Sequence, residues 1–133
     1  MRAIDTNVLA RWVLGDDPAQ AAIAADLLGE PVLISLTVLT ELGWVLEKAV
    51  GIPRSLVASM IGQIVCLEHA RIEKRGAVLW ALDRYREGAD WADMLHLVAV
   101  SGEASSFATF DRALGRDAGI ESPVTVELLR SDS

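Results

Sequence analysis

A chain of 133 residues, 52% of them apolar and 23% charged, is a folded globular protein with room for one sizeable core and not a disordered tail. Its formal net charge of −7 argues against a broad basic surface for nucleic acid, but not against nucleic acid at a site where a bound cation reverses the local field. The lone cysteine, Cys66, excludes an intrachain disulfide and a cysteine-built zinc site, and no run of about 18 apolar residues is present to span a membrane.

Taken in chain order, MRAID reads as a buried first strand and NVLARWVLG as a short helical turn. Asp5 interrupts the first apolar run, which is too short for a signal peptide, so a reducing, cytoplasmic setting is expected. In DDPAQ, Asp17 can cap a helix, Pro18 fits its first position and Gln20 can reach back to close the box. That helix is expected to run through AAIAADLLG and stop at Gly29. PVLIS is a second strand, and Ser35 is placed to cap the helix LTVLTELGWVLEKAVG. Pro53 opens the helix RSLVASMIGQI, followed by a short strand VCLEH in which apolar neighbours bury Cys66. EKRGAVLWALDRYREG and WADMLHLVAVSG are further helices, SSFATF a strand ending at Asp111, DRALGRDAG a short helix and PVTV a last extended piece.

No linker or internal repeat divides the chain, so residues 1–133 are read as one domain. Strands alternating with helices imply an α/β fold whose mainly parallel sheet is covered on both faces. Ligands on such sheets bind at the carboxyl ends of the strands. Asp5 closes the first strand and Asp111 closes SSFATF, so both are expected at that edge.

Three more acids stand out. Glu41 falls three residues after Val38 and four before Val45, bordering an apolar stripe, with Lys48 two turns away. It either snorkels from the helix edge or is satisfied by something else. DWAD reads as a capping box, with Asp90 as the cap and Asp93 in the first turn, where the helix dipole favours negative charge. For Asp93 that explanation is weaker, because Leu97 and Val100 behind it lie on a buried face. Asp111 has a structural explanation too, as a cap for the helix that follows. A single explanation covers Asp5, Glu41, Asp93 and Asp111 together: a cluster holding a divalent cation. Like charges about 4 Å apart repel by roughly 4 kcal/mol, and an all-oxygen site selects Mg²⁺ or Mn²⁺ over zinc.

The stretches DTNVL, SLTVLTELGWVL, GADWADMLHLVAV and FATFD, in this order and spacing, resemble the PIN-domain ribonucleases, most closely the VapC-type toxins of toxin–antitoxin pairs. The resemblance implies a three-layer α/β/α domain with a central, mainly parallel sheet, and a Mg²⁺- or Mn²⁺-dependent endoribonuclease that leaves 5′-phosphate and 3′-hydroxyl ends. It makes Asp5, Glu41, Asp93 and Asp111 the catalytic, metal-binding acids and Asp90 an accessory ligand. Thr6, Asn7 and Thr109 match polar positions that orient ligands and water. His96, beside Leu95 and Leu97, is a structural histidine or a base. RNA is the implied substrate, with Arg11, Arg84, Arg86, Arg112 and Arg116 as rim residues that meet its backbone or stay solvated.

A cognate VapB-like antitoxin is the other implied partner, placing an Arg or Lys in the acidic pocket and a helix in an apolar groove. Trp12, Leu9, Val13, Leu46 and Trp44 are groove candidates, Trp44 being the one expected in the core. A homodimer or a toxin–antitoxin hetero-oligomer, with no membrane, completes the expectation. The alternative is a non-catalytic PIN-like module whose acids grip a basic partner. A receiver domain would need an acidic pair at the first strand and a late Lys, a dehalogenase-type phosphatase needs D-x-D where this chain has D-T-N, and no glycine-rich phosphate loop is present.

Overall fold

The computed structural model describes residues 1–131. Its strands are β1 Arg2–Ala3, β2 Val32–Ile34, β3 Ala70–Ile72, β4 Ser106–Thr109 and β5 Thr125–Leu128. Its helices are α1 Thr6–Leu14, α2 Pro18–Leu28, α3 Leu36–Trp44, α4 Arg54–Val65, α5 Arg75–Arg86, α6 Trp91–Val100 and α7 Leu114–Ala118. The strands pair in parallel, β1 with β2, β2 with β3 and β4 with β5, so the ladders form a three-stranded and a two-stranded sheet. This is the α/β, parallel-strand architecture expected, with helices as the crossovers that parallel strands require.

Local chemistry explains most helix boundaries. The side chains of Asp5, Asp17, Ser35 and Asp90 each accept the backbone N–H three residues on, at the starts of α1, α2, α3 and α6. Helix α1 is a full nine-residue helix and not the short turn expected, because Asp5 caps its start and Gly15, at φ 62°, supplies the left-handed cap at its end.

Three further expectations are corrected. Arg2 and Ala3 are exposed and only Ile4 of the first run is buried, since β1 pairs on one side alone among the described residues. The third strand is Ala70–Ile72 and not VCLEH: Ile61, Ile64 and Val65 prolong the buried stripe of α4, which consumes the start of that segment. Arg75 then donates to the Val65 and Ala70 carbonyls and ties the intervening turn. Cys66, at the end of α4 and past that stripe, is exposed rather than buried.

The core gathers Leu9, Ile34, Leu39, Leu42, Ile61 and Leu97 from several elements. Where α3 meets α6, Gly43 lies against Trp91, whose indole N–H donates to the Leu39 carbonyl at 2.8 Å. Helix α3 passes into a π-helical segment, Val45–Ala49, which carries Glu47. There the buried Tyr85 hydroxyl donates to the Glu47 carboxylate. The Arg54 guanidinium lies 4.3 Å from the Tyr85 ring centroid and donates to the Tyr85 and Ala89 carbonyls at 2.9 and 2.6 Å. This clamp fixes the loop that leads into α6.

Hydrogen bonding from Tyr85 holds the Glu47 carboxyl below its ordinary range. A carboxyl so lowered contributes stability that is present above its ordinary pKa and lost as pH falls through the folded value. Tyr85→Phe removes the donor, so it destabilises by about 1.5–3 kcal/mol at neutral pH. That deficit shrinks on acidification, as urea titrations at neutral and acid pH will register; an equal deficit at both contradicts the assignment.

Candidate metal centre

Asp5 follows β1, and its Oδ1 accepts the Val8 N–H at 3.1 Å. The next residue, Thr6, is buried, and its hydroxyl donates to Glu41 Oε1 at 2.5 Å. Glu41 is exposed, as a carboxylate reaching out from the helix edge is expected to be, and its hydrogen bond from Thr6 holds it against the first turn of α1. Asn7 is exposed beside them.

Asp90 caps α6 by accepting the Asp93 N–H at 2.9 Å, so the capping explanation holds for Asp90. Asp93 is different. Its carboxyl is half-buried, and burial raises its pKa above the ordinary range. The charges of Asp90, Asp111 and Asp117 push the same way, while His96 opposes them. Asp111 follows β4; its N–H donates to Thr109 Oγ1 at 3.0 Å and its Oδ1 accepts the Ala113 N–H at 2.9 Å. It secures the turn before α7, whose own first residues have no side-chain cap.

Asp117 was not singled out by the sequence. It reads there as a surface residue of a short helix, and it comes within electrostatic reach of Asp93 because α7 packs on α5 and β5. No local pattern announces such an approach.

The charges of Asp90, Asp111 and Asp117 thus bear on Asp93, and Glu41 is bound to Thr6, the neighbour of Asp5. The structure does not draw the four expected acids into ligating contact: among the described residues, no group of three or more His, Cys, Asp or Glu side chains is placed to hold a metal ion. The donor chemistry nevertheless fits a hard divalent cation. Every ion pair among the described residues uses Glu30, Asp16, Glu47, Asp83 or Asp117, and none uses Asp5, Glu41, Asp90, Asp93 or Asp111. Other described carboxylates, Asp17, Asp26 and Glu127 among them, also lack a cationic partner; what suits Mg²⁺ or Mn²⁺ in these five is their oxygen-only chemistry, with Asp93 pushed toward its protonated form.

Protonated Asp93 contributes stability that is complete below the ordinary Asp pKa and lost as pH rises through its higher folded value. In EDTA at neutral pH, Asp93→Asn is therefore expected to melt at or above the wild-type temperature, with the gap closing on acidification. A melt below wild type throughout contradicts this.

Around these acids the rim differs from expectation. Trp44, expected in the core, is 61% exposed, because Leu39, Leu42 and Leu46 take the inward face of α3 and its extension. It lines a cleft of about 490 Å³ between α3 and α6 with Thr37, Thr40, Glu41, Leu95 and the exposed His96. Leu9 and Leu46 are fully buried in the core, and Trp12 is half-buried against it. Arg11 pairs with Asp16 at 2.9 Å, Arg86 with Asp83 at 3.1 Å and Arg116 with Asp117 at 3.3 Å. Arg84 donates to the Asp117 carbonyl at 2.7 Å. Of the anticipated rim arginines, Arg112 alone has no such partner among the described residues. An apolar groove of about 160 Å³ opens between α1 and α2, lined by Asn7, Val8, Arg11, Ile23, Ala24 and Leu27. No helix among the described residues is long and apolar enough to cross a membrane.

The family model described as the PIN domain matches residues 3–119. No curated protein and no solved structure matches the chain.

Proposed function

Because the chain belongs to the PIN domain family, whose members are generally nucleases that use divalent metal ions, we propose that it is a Mg²⁺- or Mn²⁺-dependent endoribonuclease of the VapC toxin type. The observation that carries this reading is the match of residues 3–119 to the PIN domain, with acids standing just past β1 and β4 and on or at the start of α3 and α6. Asp5, Glu41, Asp93 and Asp111 are the residues that would hold the cation, with Asp90 as an accessory. When bound, such a cation supplies an activated water and offsets negative charge on the phosphodiester.

The protein groups have definite tasks in this reading. The Val8 N–H orients Asp5, the Thr6 hydroxyl orients Glu41, and Thr109 with the Ala113 N–H fixes Asp111. Asp90 closes the first turn of α6 and so sets the direction of Asp93. Uncompensated carboxylates repel phosphate, so RNA is admitted only as their charge is offset. No side-chain nucleophile is invoked, since no Ser–His or Cys–His pair is present among the described hydrogen bonds.

A VapB-like antitoxin is the proposed inhibitor, its Arg or Lys neutralising the acids and its apolar helix face occupying the groove between α1 and α2. Exposure of Ile23 at 69%, together with Val8, Ala24 and Leu27, supports an apolar occupant there. A homodimer or toxin–antitoxin hetero-oligomer in the cytoplasm belongs to the same proposal.

The test is cleavage of RNA by purified protein in Mg²⁺, in Mn²⁺ and in EDTA. Scission with both metals, none in EDTA, and 5′-phosphate ends are expected. The second reading, a non-catalytic PIN-like module gripping a basic partner, draws support from the lack, among the described residues, of three or more acids or histidines grouped to hold a metal ion. It requires that no metal elicit cleavage.

A further inference from the structure

Most cationic side chains of this acidic protein are already engaged by carboxylates or backbone carbonyls. Among the described residues the exceptions are Arg71, Arg112 and Arg130. Two of these three, Arg112 and Arg130, line one cleft of about 460 Å³, and the same cleft holds Phe110, whose side chain is 71% exposed. Its volume falls within the roughly 300–1,000 Å³ of sites that enclose a small organic ligand.

Single exposed apolar side chains are common and mean little. Phe110 is distinguished by what surrounds it. It immediately precedes Asp111, and Arg112 immediately follows. The backbone on either side is pinned: the Thr109 carbonyl accepts the Leu129 N–H at 2.7 Å, Thr109 Oγ1 accepts the Asp111 N–H, and Asp111 accepts the Ala113 N–H. Thr109 is also the last residue of β4 in register with Leu128 of β5. The backbone that presents this exposed ring is thus held in place on both sides. Flanked by two guanidiniums without protein partners, the ring offers a flat aromatic face with positive charge beside it, the combination that binds single-stranded nucleic acid.

We propose that the Phe110–Arg112–Arg130 cleft is a subsite for a nucleotide next to the scissile phosphate of single-stranded RNA, its base stacked on Phe110 and its phosphates on the two arginines. The subsite rests on the ribonuclease reading above, and it supplies what that reading lacks, a positive foothold for a substrate that the carboxylates repel. Stacking on an aromatic ring tolerates any base, so the subsite adds affinity and not sequence preference.

The test uses a hydrolysis-resistant phosphorothioate oligoribonucleotide carrying 5-iodouridine, irradiated with the protein in Mn²⁺ and mapped by mass spectrometry. The adduct is expected on residue 110, retained in Phe110→Tyr and lost in Phe110→Ala, which binds the oligonucleotide about tenfold more weakly. Arg112→Ala and Arg130→Ala each lower the salt dependence of binding by about 0.7 in log–log slope. Adducts elsewhere, or Phe110→Ala binding as wild type, overturn the subsite. So does an unchanged RNA affinity accompanied by altered sedimentation, which identifies the patch as a protein contact. Cleavage of ordinary RNA is scored separately. Cleavage without the adduct refutes the subsite alone, and the adduct without cleavage refutes the nuclease reading alone.

Discussion

Asp5→Asn is expected to lower metal-dependent RNA cleavage by more than about 100-fold while leaving the metal-free protein as stable as wild type or more so. The two halves of this expectation have different physical sources. Removing an oriented partner of a metal ligand already costs 10–100-fold, so neutralising a ligand itself costs more. The fold is spared because Asn caps a helix as well as Asp does, and the Val8 N–H keeps its acceptor. Asp5→Ala separates the roles: it loses activity and also the cap, for a further destabilisation of about 1 kcal/mol. Cleavage rates and melting temperatures in EDTA for the three proteins decide the matter. An Asp5→Asn protein that melts well below wild type would show Asp5 to be a structural group.

Gly43→Ala carries the second large effect, and this one reaches the site through packing. A Cβ at position 43 would lie 2.2 Å from Trp91 Cδ1 and 2.7 Å from Nε1, distances no real contact sustains. Either α6 moves away from α3, or the indole swings and surrenders its hydrogen bond to the Leu39 carbonyl. Overpacking costs roughly 1–3 kcal/mol, and the lost bond adds about 1 kcal/mol. Trp91 stands between Asp90 and Asp93 in the chain, so displacement of the first turn of α6 disturbs both acids. Urea titrations and Mn²⁺ affinity are expected to fall together. A Gly43→Ala protein with wild-type stability contradicts the close packing of α3 on α6.

Much of this architecture was legible in the sequence because its determinants are local. Asp17–Pro18, Ser35 and Asp90 announce helix starts through side chains that reach backbone groups three residues away, and the structure places caps at all three. The alternation of strands and helices indicated parallel pairing for the same reason, since parallel strands need long crossovers. The features that were misread depend on register and on neighbours distant in the chain. VCLEH has the composition of a strand, but its Val65 completes a helical stripe with Ile61 and Ile64, and a buried stripe outweighs local β propensity. Apolar neighbours suggest an interior place for Cys66, and Trp44 is expected in the core. Both lie one position off a buried face, a phase that composition does not encode.

At the candidate site, Asp5 and Asp111 each follow a parallel strand as their sequence suggests, but β1 and β4 belong to different sheets, so the single sheet edge expected to hold both is not formed by these ladders. The link from Thr6 to Glu41 and the approach of Asp117 to Asp93 were not legible, because they arise from how α1 meets α3 and how α7 folds back. The clamp of Glu47, Tyr85 and Arg54 was equally hidden. Its members lie in three separate segments, and it depends on the π-helical turn that carries Glu47.

The most direct measurement is anomalous diffraction from crystals grown with Mn²⁺. A manganese peak is predicted within about 2.1 Å of oxygens from the side chains at positions 5, 41, 93 and 111. Density showing these carboxylates still apart, with manganese bound elsewhere or nowhere, would contradict the shared cation and the hydrolysis assigned to it.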